Sequence, residues 1–98
     1  MKKFDCICIL LSESSNPLKG NLSIVNFFLK GLVFKIFNYY KNKRGKFEKV
    51  LIKNFINPFL PEKIIFYLNF NGLAFNEVKR RIENDMKLLK IEKFFLIK

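Results

Sequence analysis

The chain has 98 residues and a formal net charge of +11, from 19 Lys and Arg against eight Asp and Glu, and half of its residues are hydrophobic. This composition excludes a disordered basic tail and suits one folded domain, residues 1–98, whose partner is anionic. The chain has no histidine, so the usual general base near neutral pH is missing, and we expect a non-enzymatic protein with no metal, cofactor or small-molecule substrate.

The first predicted element is a strand over residues 4–11, a short apolar run that ends at the turn-forming segment 12–17. This strand carries both cysteines of the chain, Cys6 and Cys8. Two thiols without a histidine do not complete a zinc site. We therefore interpret them as reduced side chains that pack as small apolar groups.

The second predicted element is one long helix over residues 22–40, with Asn21 as its N-cap. Its apolar side is broad, and polar residues such as Asn26 and Lys30 recur on the other side at helical spacing. Lys30 and Lys35 lie inside the apolar stretch, and a lysine near the centre of a bilayer costs about 2.5–3.5 kcal/mol. The pattern therefore favours an amphipathic helix packed on a core over a membrane span.

Residues 47–56 alternate in a way that predicts a half-buried strand. Val50 and Ile52 would face the core, and Lys49 and Lys53 would give the strand a basic outer face.

After this strand, Pro61 and Glu62 are typical of the first turn of a second helix. Gly72 would weaken that helix or end it.

The segment 78–97 allows two interpretations. Apolar residues at positions 78, 82, 86 and 89 recur at helical spacing, with Asn76 as a possible cap. The alternative is a hairpin whose turn lies at Asn84 and Asp85. These residues by themselves favour the helix slightly, and residues 93–97 are a predicted strand in either case.

Cations are concentrated in two groups, one in the predicted loop after the long helix and one in the run 79–81, with two lysines on the strand between. The candidate anion-binding residues are Lys41, Lys43, Arg44, Lys46, Lys49, Lys53, Lys79, Arg80 and Arg81. A solvated loop is the alternative for the first group. Sixteen lysines against three arginines indicate a compositional bias toward lysine, which does not account for the adjacent arginines. Phe47, Tyr39 and Tyr40 flank the first group and suit stacking on unpaired bases.

The order and spacing of several segments resemble the eukaryotic large-subunit ribosomal proteins of the L22e type. Residues 58–68 are similar to the family's segment in which Pro-Phe opens a basic helix containing Tyr-Leu. Residues 4–6 match its opening strand with Asp-Cys, residues 27–30 match Phe-Leu followed by charge, and residues 94–97 match its closing strand. The chain departs from the family at residues 69–71, where Asn-Phe-Asn replaces lysines.

The resemblance implies an α+β fold with a small single-layer sheet and two helices packed on one face, in the order strand, helix, strand or strands, helix, strand, strand. It therefore implies the hairpin over residues 78–97. It also implies a cytoplasmic structural constituent of the large ribosomal subunit that takes part in translation. Its partners would be ribosomal RNA, bound by shape through the candidate residues, and neighbouring large-subunit proteins in the ribonucleoprotein.

Two other functions also fit a basic, half-apolar chain. One is a peripheral membrane protein with the Phe-rich segment 22–40 in the lipid interface, although a membrane is the less favoured partner. The other is a small adaptor or inhibitor of an acidic protein.

Overall fold

The sheet of this protein is organised around its first strand. In the computed structural model, which describes residues 4–43 and 47–98, the strands are β1 (Cys6–Ser12), β2 (Glu48–Lys53), β3 (Lys63–Asn69) and β4 (Phe94–Ile97). The helices are α1 (Gly20–Phe28), α2 (Leu32–Tyr40) and α3 (Phe75–Leu88). The strands lie in the order β2-β3-β1-β4, with β1 parallel to β3 and β4, and β2 antiparallel to β3.

Helices cover both faces of the sheet. One core lies beneath α1 and α2 and includes Ile9, Phe66 and Val33. The other lies beneath α3 and includes Cys8 and Ile82. Because the two central strands are buried on both sides, their sequences are almost continuously apolar, as is typical of parallel strands between two helical layers.

The α+β class with one sheet and two helices on one face is confirmed. The predicted strands near the N-terminus and before residue 57 are confirmed as β1 and β2, and Lys49 and Lys53 lie on the exposed side of β2. Both cysteines are buried beneath α3, as expected of small apolar groups. Hydrogen bonding to Cys6 and burial together hold the pKa of the Cys8 thiol above its ordinary value.

The predicted single helix over residues 22–40 is wrong in detail, because it is two helices whose axes differ in direction by 116°. Gly31 lies between them with a φ of 85°, and its N–H donates to the carbonyl of Asn26 at 2.8 Å. The Asn26 side chain then accepts from the N–H of Phe34 at 2.9 Å, in the first turn of α2. Asn21 lies inside α1 rather than capping it, since the N-cap position is Lys19.

In the described part of the chain, no single helix is long and apolar enough to cross a membrane. The bent pair of α1 and α2 passes the same criterion of length and composition when the two are taken together.

The predicted helix beginning at Pro61 is wrong: the segment forms β3. Residues 64–68 are a run of β-branched, aromatic and leucine side chains that is buried on both faces of the sheet. Pro61 and Glu62 lie just before this strand, and they resemble a helix start only in residue type.

The hairpin expected over residues 78–97 is also wrong. Residues 75–88 form α3, with Val78, Ile82 and Met86 buried beneath it. The helical spacing of these apolar residues was therefore a better guide than the resemblance. The predicted closing strand is confirmed as β4.

Candidate nucleic-acid interface

A shallow pocket of about 320 Å³ lies between the start of β2 and the outer side of α3. We name it the Phe47 pocket, and it is lined by Phe47, Lys49, Arg80, Arg81, Asn84 and Asp85. Three of the nine candidate cations are therefore brought together around one aromatic ring.

Phe47 is the one aromatic side chain that lines this pocket among the described residues. Its ring centroid lies 6.0 Å from that of Tyr67, with the planes inclined by 31°. The guanidinium carbon of Arg81 lies 5.2 Å from the Phe47 centroid, within the range of a cation–π contact. The ring thus contacts both a buried tyrosine and an exposed arginine.

Glu77 holds both arginines of the pocket. Arg80 donates to its two carboxylate oxygens at 2.6 and 3.1 Å, and Arg81 donates from Nε at 3.1 Å. The spacing of three and four residues places all three side chains on adjacent turns of α3. The hydrogen bonds from Arg80 and Arg81 lower the pKa of Glu77 to about 2, and the same contact raises the pKa of Arg80.

Asp85 links the pocket to the sheet. The Tyr67 hydroxyl donates to Asp85 Oδ2 at 2.9 Å, and Lys49 Nζ lies 3.0 Å from Oδ1. The aspartate is only 16 % exposed, whereas Lys49 is largely exposed. Burial and the hydrogen bond to Asp85 both raise the pKa of Tyr67. This arrangement fixes the position of the lysine at the rim of the pocket.

The charge of the pocket is small, although the chain is strongly basic. Its three cations face two carboxylates, those of Glu77 and Asp85, which leaves a net charge of +1. A guanidinium has five N–H donors, so the single bond from Arg81 to Glu77 uses only part of its capacity. The arginines therefore keep donors for a ligand while their orientation is restrained.

The first predicted cluster follows α2, on the other face of the sheet from α3. Lys43 Nζ lies 3.7 Å from the ring centroid of Tyr39, and Lys41 Nζ lies 5.9 Å from that of Phe37. Arg44 and Lys46 lie outside the described residues. Lys43 and Phe47 are four positions apart, so their Cα atoms are at most about 14 Å apart. The described part of this cluster thus approaches the Phe47 pocket around the β2 edge.

Two candidates lie away from the Phe47 pocket. Lys53 is at the far end of β2, where its Nζ lies 3.2 Å from the Glu62 carboxylate. Lys79 is exposed on α3, two positions before Arg81, so it projects from the opposite side of that helix. The seven candidates within the described residues therefore do not form one continuous face.

Some residues of the site were not among the predicted ones. Glu77 would have been found from its spacing to Arg80 and Arg81 once the segment was interpreted as a helix. Asp85 was predicted as part of a possible hairpin turn, and Tyr67 was predicted to lie on a helix. Their contact depends on the packing of α3 against β3, for which the sequence carries no local signal.

Comparison of the chain with protein-family models, with curated proteins and with solved structures finds no match in any of the three.

Proposed function

We propose that the protein binds RNA without catalysing a reaction, with the Phe47 pocket as its principal contact. The observation that carries the proposal is the cluster in which the Phe47 ring contacts both Tyr67 and the Arg81 guanidinium. Aromatic rings and guanidinium planes are the surfaces on which unpaired bases stack. Lys49 and Arg80 at the rim supply donors for phosphate oxygens.

The wider charge of the chain supports the same ligand. A net charge of +11 attracts a polyanion over several ångströms beyond the pocket. Lys41 and Lys43 extend the positive charge toward the β2 edge, and the exposed Tyr39 beside them offers a second aromatic surface. Asn84, exposed at the pocket, offers an amide that can hydrogen-bond to the edge of a base.

The finer form of this proposal is a structural protein of the large ribosomal subunit, located on cytoplasmic ribosomes with ribosomal RNA and neighbouring subunit proteins as partners. It rests on the resemblance of residues 4–6, 27–30, 58–68 and 94–97 to the L22e type. β3 and α3 differ from the helix and hairpin that the resemblance implies at those places. RNA binding itself does not depend on the resemblance, because it rests on the pocket and the charge.

Binding of a labelled single-stranded RNA to the purified chain, followed by fluorescence anisotropy over a salt series, tests the general proposal. We expect Arg81→Gln to weaken binding roughly tenfold, since it removes both a stacking plane and a donor. Lys79→Gln is the matched control, because it removes the same charge from the same helix outside the pocket. Its effect should stay below about threefold.

Phe47→Leu separates stacking from charge in the same assay. It should weaken binding to single-stranded RNA about fivefold or more and leave the slope against salt unchanged. Equal losses for Arg81→Gln and Lys79→Gln would show non-specific attraction rather than a site. Failure of the unaltered chain to bind RNA at low salt would refute the proposal.

The ribosomal form needs a separate test in cells. A tagged copy should sediment with the large ribosomal subunit on a sucrose gradient and lose that position after ribonuclease treatment. A copy that stays at the top of the gradient, while the purified chain still binds RNA, would refute the ribosomal form of the proposal. RNA would then remain the proposed ligand.

A further inference from the structure

A second surface, formed by the end of α1 and the β2–β3 loop, exposes aromatic side chains to an unusual extent. Phe27 at the end of α1 is 79 % exposed, and Phe55 and Phe59 in the β2–β3 loop are 82 % and 90 % exposed. Together with Leu18, these residues are named here the apolar tip. Large apolar side chains exposed close together mark a surface that binds something.

An open cavity of about 730 Å³ joins the two parts of this surface. It is lined by Leu18, Phe27 and Phe28 from the first part and by Ile56 and Asn57 from the loop. The Asn57 side chain donates to the carbonyl of Phe28 at 3.4 Å, which connects the loop to the end of α1.

The loop that carries Phe55 and Phe59 is held by side-chain hydrogen bonds. Asn54 Nδ2 donates to the carbonyls of Asn57, Leu60 and Pro61 at 2.7, 3.3 and 3.1 Å. Asn54 Oδ1 accepts from the N–H groups of Ile56 and Asn57 at 2.9 and 3.0 Å. Asn57 Oδ1 accepts from the N–H of Phe59 at 2.9 Å. The exposed phenyl rings are therefore presented by an ordered turn.

The charges nearest the apolar tip are mainly positive, although the Lys53 ammonium is paired with the Glu62 carboxylate at 3.2 Å. Among the described residues that line the cavity, Lys30 is the one charged residue. Lys19 is exposed at the N-cap of α1, next to Leu18, and Lys53 Nζ lies 5.3 Å from the Phe55 ring centroid. Apolar side chains beside lysines suit an interface with acyl chains at its centre and anionic headgroups at its edge.

We propose that the apolar tip binds the surface of an anionic lipid bilayer. This occupant fits better than a second copy of the chain, because a self-interface would bring together two surfaces that both carry Lys19 and Lys30. The sequence suggested segment 22–40 as a contact with lipid, and this proposal adds the β2–β3 loop to that contact. It is independent of the proposed RNA binding, since α1 and α3 lie on opposite faces of the sheet. Both ligands can then bind one molecule.

Sedimentation with vesicles of phosphatidylcholine, with and without phosphatidylserine, tests this proposal. The unaltered chain should pellet with the anionic vesicles and much less with the neutral ones. The double variant Phe27→Ser and Phe59→Ser should lower the partition coefficient roughly tenfold or more. Leu88→Ser is the matched control, because Leu88 is 80 % exposed on α3, which lies on the other face of the sheet from α1. Its partition should match that of the unaltered chain.

Two results would overturn the proposal. One is a chain that stays in the supernatant with phosphatidylserine vesicles; the other is an equal loss in the double variant and in Leu88→Ser. Analytical ultracentrifugation tests the alternative occupant, a second copy of the chain. If the unaltered chain forms a dimer that the double variant does not form, and it does not bind vesicles, the tip is a surface for self-association. The double variant should keep its affinity for RNA, so a loss of vesicle binding at the tip can be distinguished from a loss of RNA binding at the Phe47 pocket.

Discussion

Glu77 determines how the two adjacent arginines are presented. A single partly exposed carboxylate accepts three hydrogen bonds from Arg80 and Arg81. An exposed ion pair contributes little to stability by itself. Its greater effect is on geometry, because it restrains two long side chains that would otherwise sample many rotamers before meeting a phosphate.

Because the pKa of Glu77 is lowered on folding, the free energy of unfolding depends on pH in the acidic range. Its folded-state value of about 2 lies below the ordinary value of 4.5, so its contribution is present above pH 4.5 and is lost as the pH falls toward 2. We expect Glu77→Gln to be less stable than the unaltered chain near neutral pH, with the difference shrinking between pH 4.5 and 2. Urea midpoints at pH 7, 4.5, 3 and 2 measure this.

Glu83→Gln provides the comparison for this pH series, since it removes an exposed carboxylate of the same helix from outside the arginine pair. The difference in stability between Glu83→Gln and the unaltered chain should not shrink as the pH falls from 4.5 to 2. A difference for Glu77→Gln that stays constant over the whole series would contradict the role given to the ion pair.

Among the elements, the junction of α1 and α2 is shaped by one glycine. The left-handed φ of 85° at Gly31 lets its N–H reach the carbonyl of Asn26. A Cβ at this position would meet open space, so a substitution there affects the backbone conformation alone.

Gly31→Ala should therefore lower the free energy of unfolding by about 1 kcal/mol through backbone strain. Asn26→Ala should cost a similar amount, about 1 kcal/mol, because it removes the acceptor for the N–H of Phe34 in α2. Chemical denaturation monitored by circular dichroism measures both changes. A Gly31→Ala variant as stable as the unaltered chain would show that the junction relaxes into another conformation.

The elements also show how far the sequence predicts this fold. Strands β1, β2 and β4 and the helical periodicity of α3 are visible in local patterns. β3 was not recognised, because a strand buried on both faces has no alternation and Pro61 and Glu62 imitate a helix start. The break at Gly31 was missed because apolar residues continue through it. In the candidate site, Arg80, Arg81 and Lys49 were predicted as cations, but their convergence on Phe47 depends on tertiary packing.

For the whole molecule, the surplus of positive charge is the dominant property. Cations lie on both faces of the sheet, and the described ion pairs involve few of them. Self-repulsion among like charges destabilises a compact chain and is screened by salt.

We accordingly expect the melting temperature to rise when sodium chloride is increased from low to physiological concentration. Screening should weaken the repulsion of +11 net charges more than it weakens a few exposed ion pairs. Thermal melts across a sodium chloride series at pH 7 measure this, with sucrose at matched osmolality as the control for effects not due to charge. A melting temperature that falls with salt would mean that the ion pairs dominate.

The central position of β1 has a consequence for the time course of folding. Cys6 pairs with Lys63 on one side and with Phe94 on the other, partners that are 57 and 88 positions away. Both pairings require large loops to close before any contact is gained. Refolding should therefore take on the order of milliseconds to seconds rather than microseconds. Substitutions in β1 should slow it more than equally destabilising ones in α3, whose turns form from near neighbours.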